Sequence, residues 1–274
     1  MSIISARLDI GVEKPFKVIH ISDTHLTLAD MRDGERKVEL SKARSKFFKQ
    51  AEEVLAQTEE LHRELGLPVI HTGDLIDFVS AANLERAKAF VKATDCFVSA
   101  GNHEFSLYVG EAREDAAYRE QSLATVQAAF GNDIRASSRV IGGVNFVALD
   151  DGYYKFEQSQ FDFLKAEVAK GLPVVLVMHN PLFEKRLYDD RMANNVCAYL
   201  VGVPEELMRG YPEHRYEQQA ADDTTREVMA YIAAEPAIKA LITGHVHVNY
   251  EGVFADRIPQ VVVSCTDIQI IEIV

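Results

Sequence analysis

Nine side chains of metal-ligand type stand in five short clusters: Asp23 and His25, Asp74 and Asp77, Asn102 and His103, His179, then His245 and His247. Carboxylate, imidazole and amide oxygen make a mixed hard and borderline donor set. It suits Mn²⁺, Fe, Zn²⁺, Co²⁺ or Ni²⁺ better than Ca²⁺ or thiolate-bound zinc, and no cysteine belongs to any cluster. Seven candidate ligands stand among these nine. They outnumber the roughly four to six positions on one ion, which predicts two divalent metal ions that share a carboxylate. Asp74, in the middle of the series, is the expected bridge. Two ions about 3.5–4 Å apart lower the pKa of a water held between them, so that it is present as hydroxide, and clamp the attacking and leaving oxygens of an in-line displacement. Phosphoester hydrolysis uses all of this chemistry. His103 adjoins Asn102 but points elsewhere, free to protonate a departing alkoxide. The expected catalytic residues are thus Asp74 and His103, with no organic cofactor.

Such a site needs elements that deliver the clusters to one place. Each cluster directly follows a short apolar run rich in Val and Ile, the pattern of strands buried on both faces. The strands are expected at 3–10, 16–22, 67–72, 96–99, 144–149, 173–178 and 240–243. Helical periodicity over 38–66, 81–93, 113–130, 156–170 and 223–234 sets helices between them, a βαβ rhythm whose parallel strands bring their C-terminal ends together. In helix 38–66 the apolar stripe is Phe47, Ala51, Val54, Thr58, Leu61 and Leu65. The tail, 261–264 and 267–274, reads as a closing hairpin. Residues 182–222 are irregular and read as a loop or small cap. Its Arg186, Arg191, Arg209 and Arg215, with Tyr188, Tyr211 and Tyr216, are either a lid that grips phosphate or a base, or an ordinary surface loop or oligomer contact. His20 and His71 read as satisfied strand histidines, His62 and His214 as solvated ones.

The 274 residues, 47% hydrophobic, suffice for one large core, and one domain over 1–274 is expected. A formal charge of −13 disfavours nucleic acid and anionic membranes as partners, though not a small phosphorylated substrate, because bound cations reverse the potential locally. Three cysteines without CxxC spacing read as idle thiols. With neither a membrane-spanning run nor a signal-like start, the cytoplasm is the expected compartment.

Taken in order, Asp23-Thr24-His25, Gly73-Asp74-Leu75-Ile76-Asp77, Gly101-Asn102-His103-Glu104, His179 and Gly244-His245-Val246-His247 resemble the D-x-H, G-D-x-x-D, G-N-H-[DE], H and G-H-x-H blocks of calcineurin-like metallophosphoesterases. The resemblance implies an α/β fold, a four-layer αββα sandwich with central mixed sheets. It implies that Asp23, His25 and His247 bind one metal, that Asn102, His179 and His245 bind the second, and that Asp74 bridges them. His103 would contact the phosphate or the leaving group, and Asp77 would brace a ligand rather than bind metal. Purple acid phosphatases carry a tyrosine where Asp77 stands, which argues against a purple iron site. The segment Asp150 to Leu164 also looks like the link between halves in bacterial class III cyclic-nucleotide phosphodiesterases. The expected activity is hydrolysis of a phosphoester, a diester or cyclic nucleotide first among them, by hydroxide generated at the metals. Phosphomonoesterase or protein phosphatase activity on the same site is the alternative, and a catalytically silent binding module is the alternative of another class.

Overall fold

The computed structural model describes residues 1–274. Eleven strands form, β1 (Ile3–Leu8), β2 (Phe16–Ile21), β3 (Val69–His71), β4 (Phe97–Val98), β5 (Ala136–Ile141), β6 (Val144–Leu149), β7 (Val174–Val177), β8 (Ile238–Thr243), β9 (Tyr250–Phe254), β10 (Ile258–Val262) and β11 (Ile268–Ile273). The helices are α1 (Glu35–Arg44), α2 (Ala51–Leu65), α3 (Ala81–Thr94), α4 (Ala116–Glu120), α5 (Leu123–Gln127), α6 (Gln158–Val168), α7 (Lys185–Met192), α8 (Glu213–Gln219) and α9 (Asp223–Ala234). Two mixed sheets result, ordered β1-β11-β2-β3-β4 and β5-β6-β7-β8-β10-β9.

Strand alternation sorts the core into layers. Val18, Ile70 and Phe97 of the first sheet meet Phe146, Val175, Val177, Ala240 and Ile242 of the second, so the sheets pack face to face. Ile19, Ile21, Val69 and Val98 point the other way, onto Val54 and Leu55 of α2 and Ala87, Phe90 and Val91 of α3. On the far side Val147, Leu149, Leu176 and Leu241 meet Leu164 of α6 and Val228 and Ile232 of α9. The outcome is the αββα sandwich expected above, and every residue of β6 and β7 is buried. Parallel pairing of β2 with β3 and β3 with β4, and of β6 with β7 and β7 with β8, puts the C-terminal ends of both sets along one edge.

Three expectations need correction. The helix expected over 38–66 is two helices broken at 45–50. No residue of α1 is buried, so no apolar face seats it on the sheet, and Phe47 of the supposed stripe is 74% exposed. The break turns Phe48 inward instead, its ring stacked on His25 with centroids 4.1 Å apart. The helix expected over 113–130 is likewise two short ones, α4 and α5, interrupted where Ser122 Oγ donates to the Phe105 carbonyl. The closing hairpin does not form. β10 pairs with β8 and β9 in one sheet, whereas β11 fills the gap between β1 and β2 in the other. Apolar alternation shows that a strand exists but not which edge accepts it, and β1 and β2 needed a partner between them.

Residues 182–222 are less irregular than expected. They carry α7 and α8 and a small core in which Leu187, Tyr188, Cys197, Leu200, Met208 and Tyr211 pack with Val246 and Val262.

Candidate metal centre

Each cluster sits where a strand stops. Asp23 and His25 follow β2, Asp74 follows β3, Asn102 and His103 follow β4, His179 follows β7, and His245 and His247 follow β8. Five of these residues hold positive φ: Asp23 at 53°, His25 at 49°, Asp74 at 57°, His245 at 68° and His247 at 53°. Non-glycine residues in this region are strained by about 1 kcal/mol or more and persist where surrounding contacts fix them, commonly at functional sites. The crowding is extreme at two glycines. A Cβ on Gly101 would lie 2.3 Å from Asp74 Oδ1, and one on Gly244 would lie 2.5 Å from Asp23 Oδ2. Only a hydrogen at Gly101 lets the β3 and β4 loops approach, and only one at Gly244 lets the β8 loop of the second sheet reach the β2 loop of the first.

Their side chains converge. Asp23 Oδ1 is 3.3 Å from His247 Nε2 and 3.9 Å from His25 Nε2. Asp74 Oδ2 lies 3.6 Å from His25 Nε2 and 3.3 Å from His179 Nε2, and so stands between the two imidazole pairs. His25 Nε2 faces His247 Nε2 at 3.2 Å, and His245 Nδ1 faces His179 Nε2 at 2.9 Å. Three sets of ligand atoms fall within 4.8 Å of one another: Asp23, His25 and His247; Asp23, Asp74, His179 and His245; and His25, Asp74 and His103. Asn102 borders the same cavity.

This donor set fits divalent cations. The outer nitrogens of three imidazoles are engaged, His25 Nδ1 by the Asp77 carboxylate at 3.1 Å, His179 Nδ1 by the Thr72 carbonyl at 2.7 Å and His245 Nε2 by the Tyr154 hydroxyl at 2.8 Å. Acceptor partners fix His25 and His179 with the proton on Nδ1, which leaves the Nε2 lone pair pointing inward, the arrangement of metal-binding histidines. Each facing nitrogen pair needs a proton or a metal ion between its two nitrogens. Asp23 Oδ1 and Asn102 Oδ1 are also buried with no hydrogen-bond partner, a cost that a cation would remove. The local field has the matching sign. Burial alone pushes His179 and His247 down, but the carboxylates outweigh it, with Asp74 raising His179 to about 10 and Asp23 raising His247 to about 11. A site that draws protons this strongly draws metal ions for the same reason.

Around these groups are residues that position them. Asp77 binds no candidate ligand atom of the cavity directly; it receives His25 Nδ1 and a bidentate Arg44 at 2.7 and 2.9 Å. Asp151 Oδ1 accepts the backbone N–H of His179 at 2.8 Å. Glu104, fully buried, accepts four backbone N–H groups, from Asp74 and Gly101 at 2.7 Å each, Leu75 at 2.8 Å and Ile76 at 3.3 Å. It ties the β3 and β4 loops together. Glu104→Gln would set an NH₂ against backbone donors, and it is expected to cost roughly 2–4 kcal/mol. Thermal unfolding of the metal-free protein checks this, with a fall in Tm of about 6 °C or more expected; an unchanged Tm would refute the tie.

Sequence reasoning missed several of these. Glu104 was readable, since it stands inside the G-N-H-E block. Arg44 and Phe48 were not, because their roles depend on the helix break. Tyr154 lies in a segment singled out for another likeness. Of the residues in 182–222, Arg191, His214 and Arg215 line the cavity, while Arg209 and Tyr216 do not. Arg186 instead binds the Tyr250 hydroxyl and the Glu251 carbonyl, and Tyr188 and Tyr211 are buried in the small core. His20 is satisfied by Gln269 and Thr72 and His71 by Thr24 and the Gly73 N–H, while His62 bonds the Leu67 carbonyl. The cavity encloses about 690 Å³, walled by Phe48, Tyr154 and Tyr199 as well as the ligand cluster. No helix is long and apolar enough to cross a membrane.

Comparison with known proteins supplies the remaining observations. Residues 16–249 match the family described as calcineurin-like phosphoesterase. No curated protein sequence matches the chain. A dimetal phosphatase from Danio rerio is similar in structure, with 15% identity and a TM-score of 0.54, covering 92% of this chain and 88% of that one. A phosphopantetheinyl hydrolase from Mycobacterium tuberculosis aligns with 13% identity and a TM-score of 0.45 over 91% of this chain and 90% of its own. A calcineurin-like phosphoesterase from Bacillus subtilis aligns with 13% identity and a TM-score of 0.43 over 92% and 82%. At 15% identity the likeness to the dimetal phosphatase is one of fold.

Proposed function

The chain belongs to the calcineurin-like phosphoesterase family, whose members are metal-dependent hydrolases, and from that footing we propose that it hydrolyses small phosphodiesters, cyclic nucleotides among them, with two divalent metal ions. Asp23, His25 and His247 would hold one ion, Asn102, His179 and His245 the other, with Asp74 shared. The observation that carries this is the two pairs of imidazole nitrogens that face each other, His25 with His247 and His179 with His245, in a site where the Asp23 and Asn102 oxygens are buried without a hydrogen-bond partner. Bound there, the ions would neutralise the phosphoryl oxygens and lower the pKa of water toward neutrality.

The chain's own groups do the rest. His103 Nδ1 donates to the Asp77 carbonyl at 2.7 Å, which leaves Nε2 for the cavity. Burial opposes its charge, yet Asp74 and Asp77 outweigh burial and raise the imidazole to about 9. With Nδ1 held by the Asp77 carbonyl, Nε2 is the nitrogen that would give a proton to the leaving oxygen. Phe48 covers the His25 ring and limits water on that side. A cavity of 690 Å³, with aromatic faces and the guanidinium groups of Arg191 and Arg215, has room for an organic substituent on each side of the phosphorus. Cys96, Cys197 and Cys265 are all free thiols, which supports the cytoplasm as compartment.

An activity panel after chelation and metal restoration tests the proposal, comparing aryl phosphate diesters, cyclic nucleotides and aryl phosphate monoesters. Diester turnover is expected to exceed monoester turnover at least about tenfold, a barrier difference of about 1.4 kcal/mol. A monoester preference would overturn the diester assignment, and metal-replete protein inert toward every ester would overturn the enzymatic reading.

A further inference from the structure

Glu114 lies in the connection between β4 and α4, outside every ligand cluster, yet its carboxylate reaches the metal centre. Its Oε1 accepts from Asn102 Nδ2 at 3.2 Å, and its Oε2 accepts from Gln218 Nε2 of α8 at 2.7 Å. Arg215 Nη1 is 3.8 Å from Oε2, the guanidinium lies 5.2 Å over the Tyr199 ring, and Arg215 donates to Gln218 Oε1 at 2.8 Å. The Glu114 side chain is only 11% exposed. Its backbone sits at φ 54°, in the left-handed region where an L residue is strained.

An asparagine amide has an acceptor end and a donor end, and only the oxygen can ligate a cation. Nothing in the Asn102 backbone decides which end faces the cavity. A carboxylate can only accept, so Glu114 draws Nδ2 toward itself and turns Oδ1 away from itself. That oxygen is buried and has no hydrogen-bond partner. With Asn102 read as a metal ligand, as above, we propose that Glu114 is its positioning residue and that, through Gln218 and Arg215, it couples α8 of the 182–222 segment to that ligand. Order in α8 and order in the Asn102 amide then favour each other, a reciprocity that any two linked equilibria share.

Calorimetric titration of chelated protein with Mn²⁺ tests this, in the wild type and in Asn102→Ala, Glu114→Ala, Glu114→Gln and Gln218→Ala. Asn102→Ala is expected to lose tight binding of one of the two equivalents. Glu114→Ala should weaken the same equivalent about 10–100-fold, the usual cost of losing a partner that orients a ligand, and leave the other unchanged. Glu114→Gln keeps an oxygen that accepts from Asn102 and should restore most of the affinity. Gln218→Ala should weaken the same equivalent by less than Glu114→Ala, and Mn²⁺ should slow backbone hydrogen exchange over residues 213–219 in the wild type but not in this variant; the same slowing in both would overturn the coupling. Wild-type titration in Glu114→Ala beside a lost equivalent in Asn102→Ala would overturn the positioning role alone. Wild-type titration in both variants would overturn the ligand assignment of Asn102 and the positioning role with it.

Discussion

Asp74→Ala is expected to bind no more than one metal equivalent and to lose at least about 1,000-fold in kcat/KM, some 4 kcal/mol of transition-state stabilisation. Three features put the effect at this size. Asp74 Oδ2 stands between His25 Nε2 and His179 Nε2, at 3.6 and 3.3 Å, so its loss opens both proposed sites at once. Its charge is the first source of the field that raises both His179 and His103. Its Oδ1 accepts the His103 backbone N–H at 2.8 Å, so the variant also frees the residue that donates the proton. Asp74→Asn keeps the shape and removes the charge, and it should fall between the wild type and Asp74→Ala in metal affinity. Calorimetric metal titration together with diester turnover checks both variants; a wild-type rate in Asp74→Ala would contradict the assignment.

His103→Ala is expected to separate chemistry from metal binding. The imidazole touches the site through the Asp77 carbonyl and carboxylate and supplies none of the facing nitrogen pairs. Both metal equivalents should therefore remain, while kcat falls about 10²–10⁴-fold, the range for removing a general acid. The loss should depend on the ester. An aryl leaving group of low pKa departs without a proton and should show a small defect, whereas an alkyl ester should show nearly all of it. Equal defects for both esters would mean that His103 acts on the phosphate rather than on the leaving oxygen, and loss of a metal equivalent would make it a ligand.

The centre was more legible in the sequence than the fold around it. Strands buried on both faces announce themselves as Val- and Ile-rich runs, so the nine polar groups at their ends could be collected from spacing, and the family resemblance then singled out Asp23, His25, Asp74, Asn102, His179, His245 and His247. The break at 45–50 could not. Residues 38–66 keep a helical apolar period, and what ends the helix is tertiary, the pull of Asp77 on Arg44 and of the His25 ring on Phe48. The fate of β11 was hidden for a similar reason, since alternation carries no address for the partner strand. Within 182–222 composition showed arginines and tyrosines but not their division of labour. Only the folded chain separates Arg191 and Arg215, at the cavity, from Arg186, tied to Tyr250, and from Tyr188 and Tyr211, buried in the small core. Glu114 carries no local signal at all, because its partners are 12 and 104 residues away.

The central claim is that the five strand ends build a site for two metal ions on which the reaction depends. Counting the Mn²⁺ equivalents bound per chain by chelated wild-type protein, while following phosphodiester turnover in the same samples, tests it most directly. Two equivalents are predicted, with activity absent after chelation and restored as they fill. Full turnover by chelated protein, or saturation without any bound metal, would contradict it.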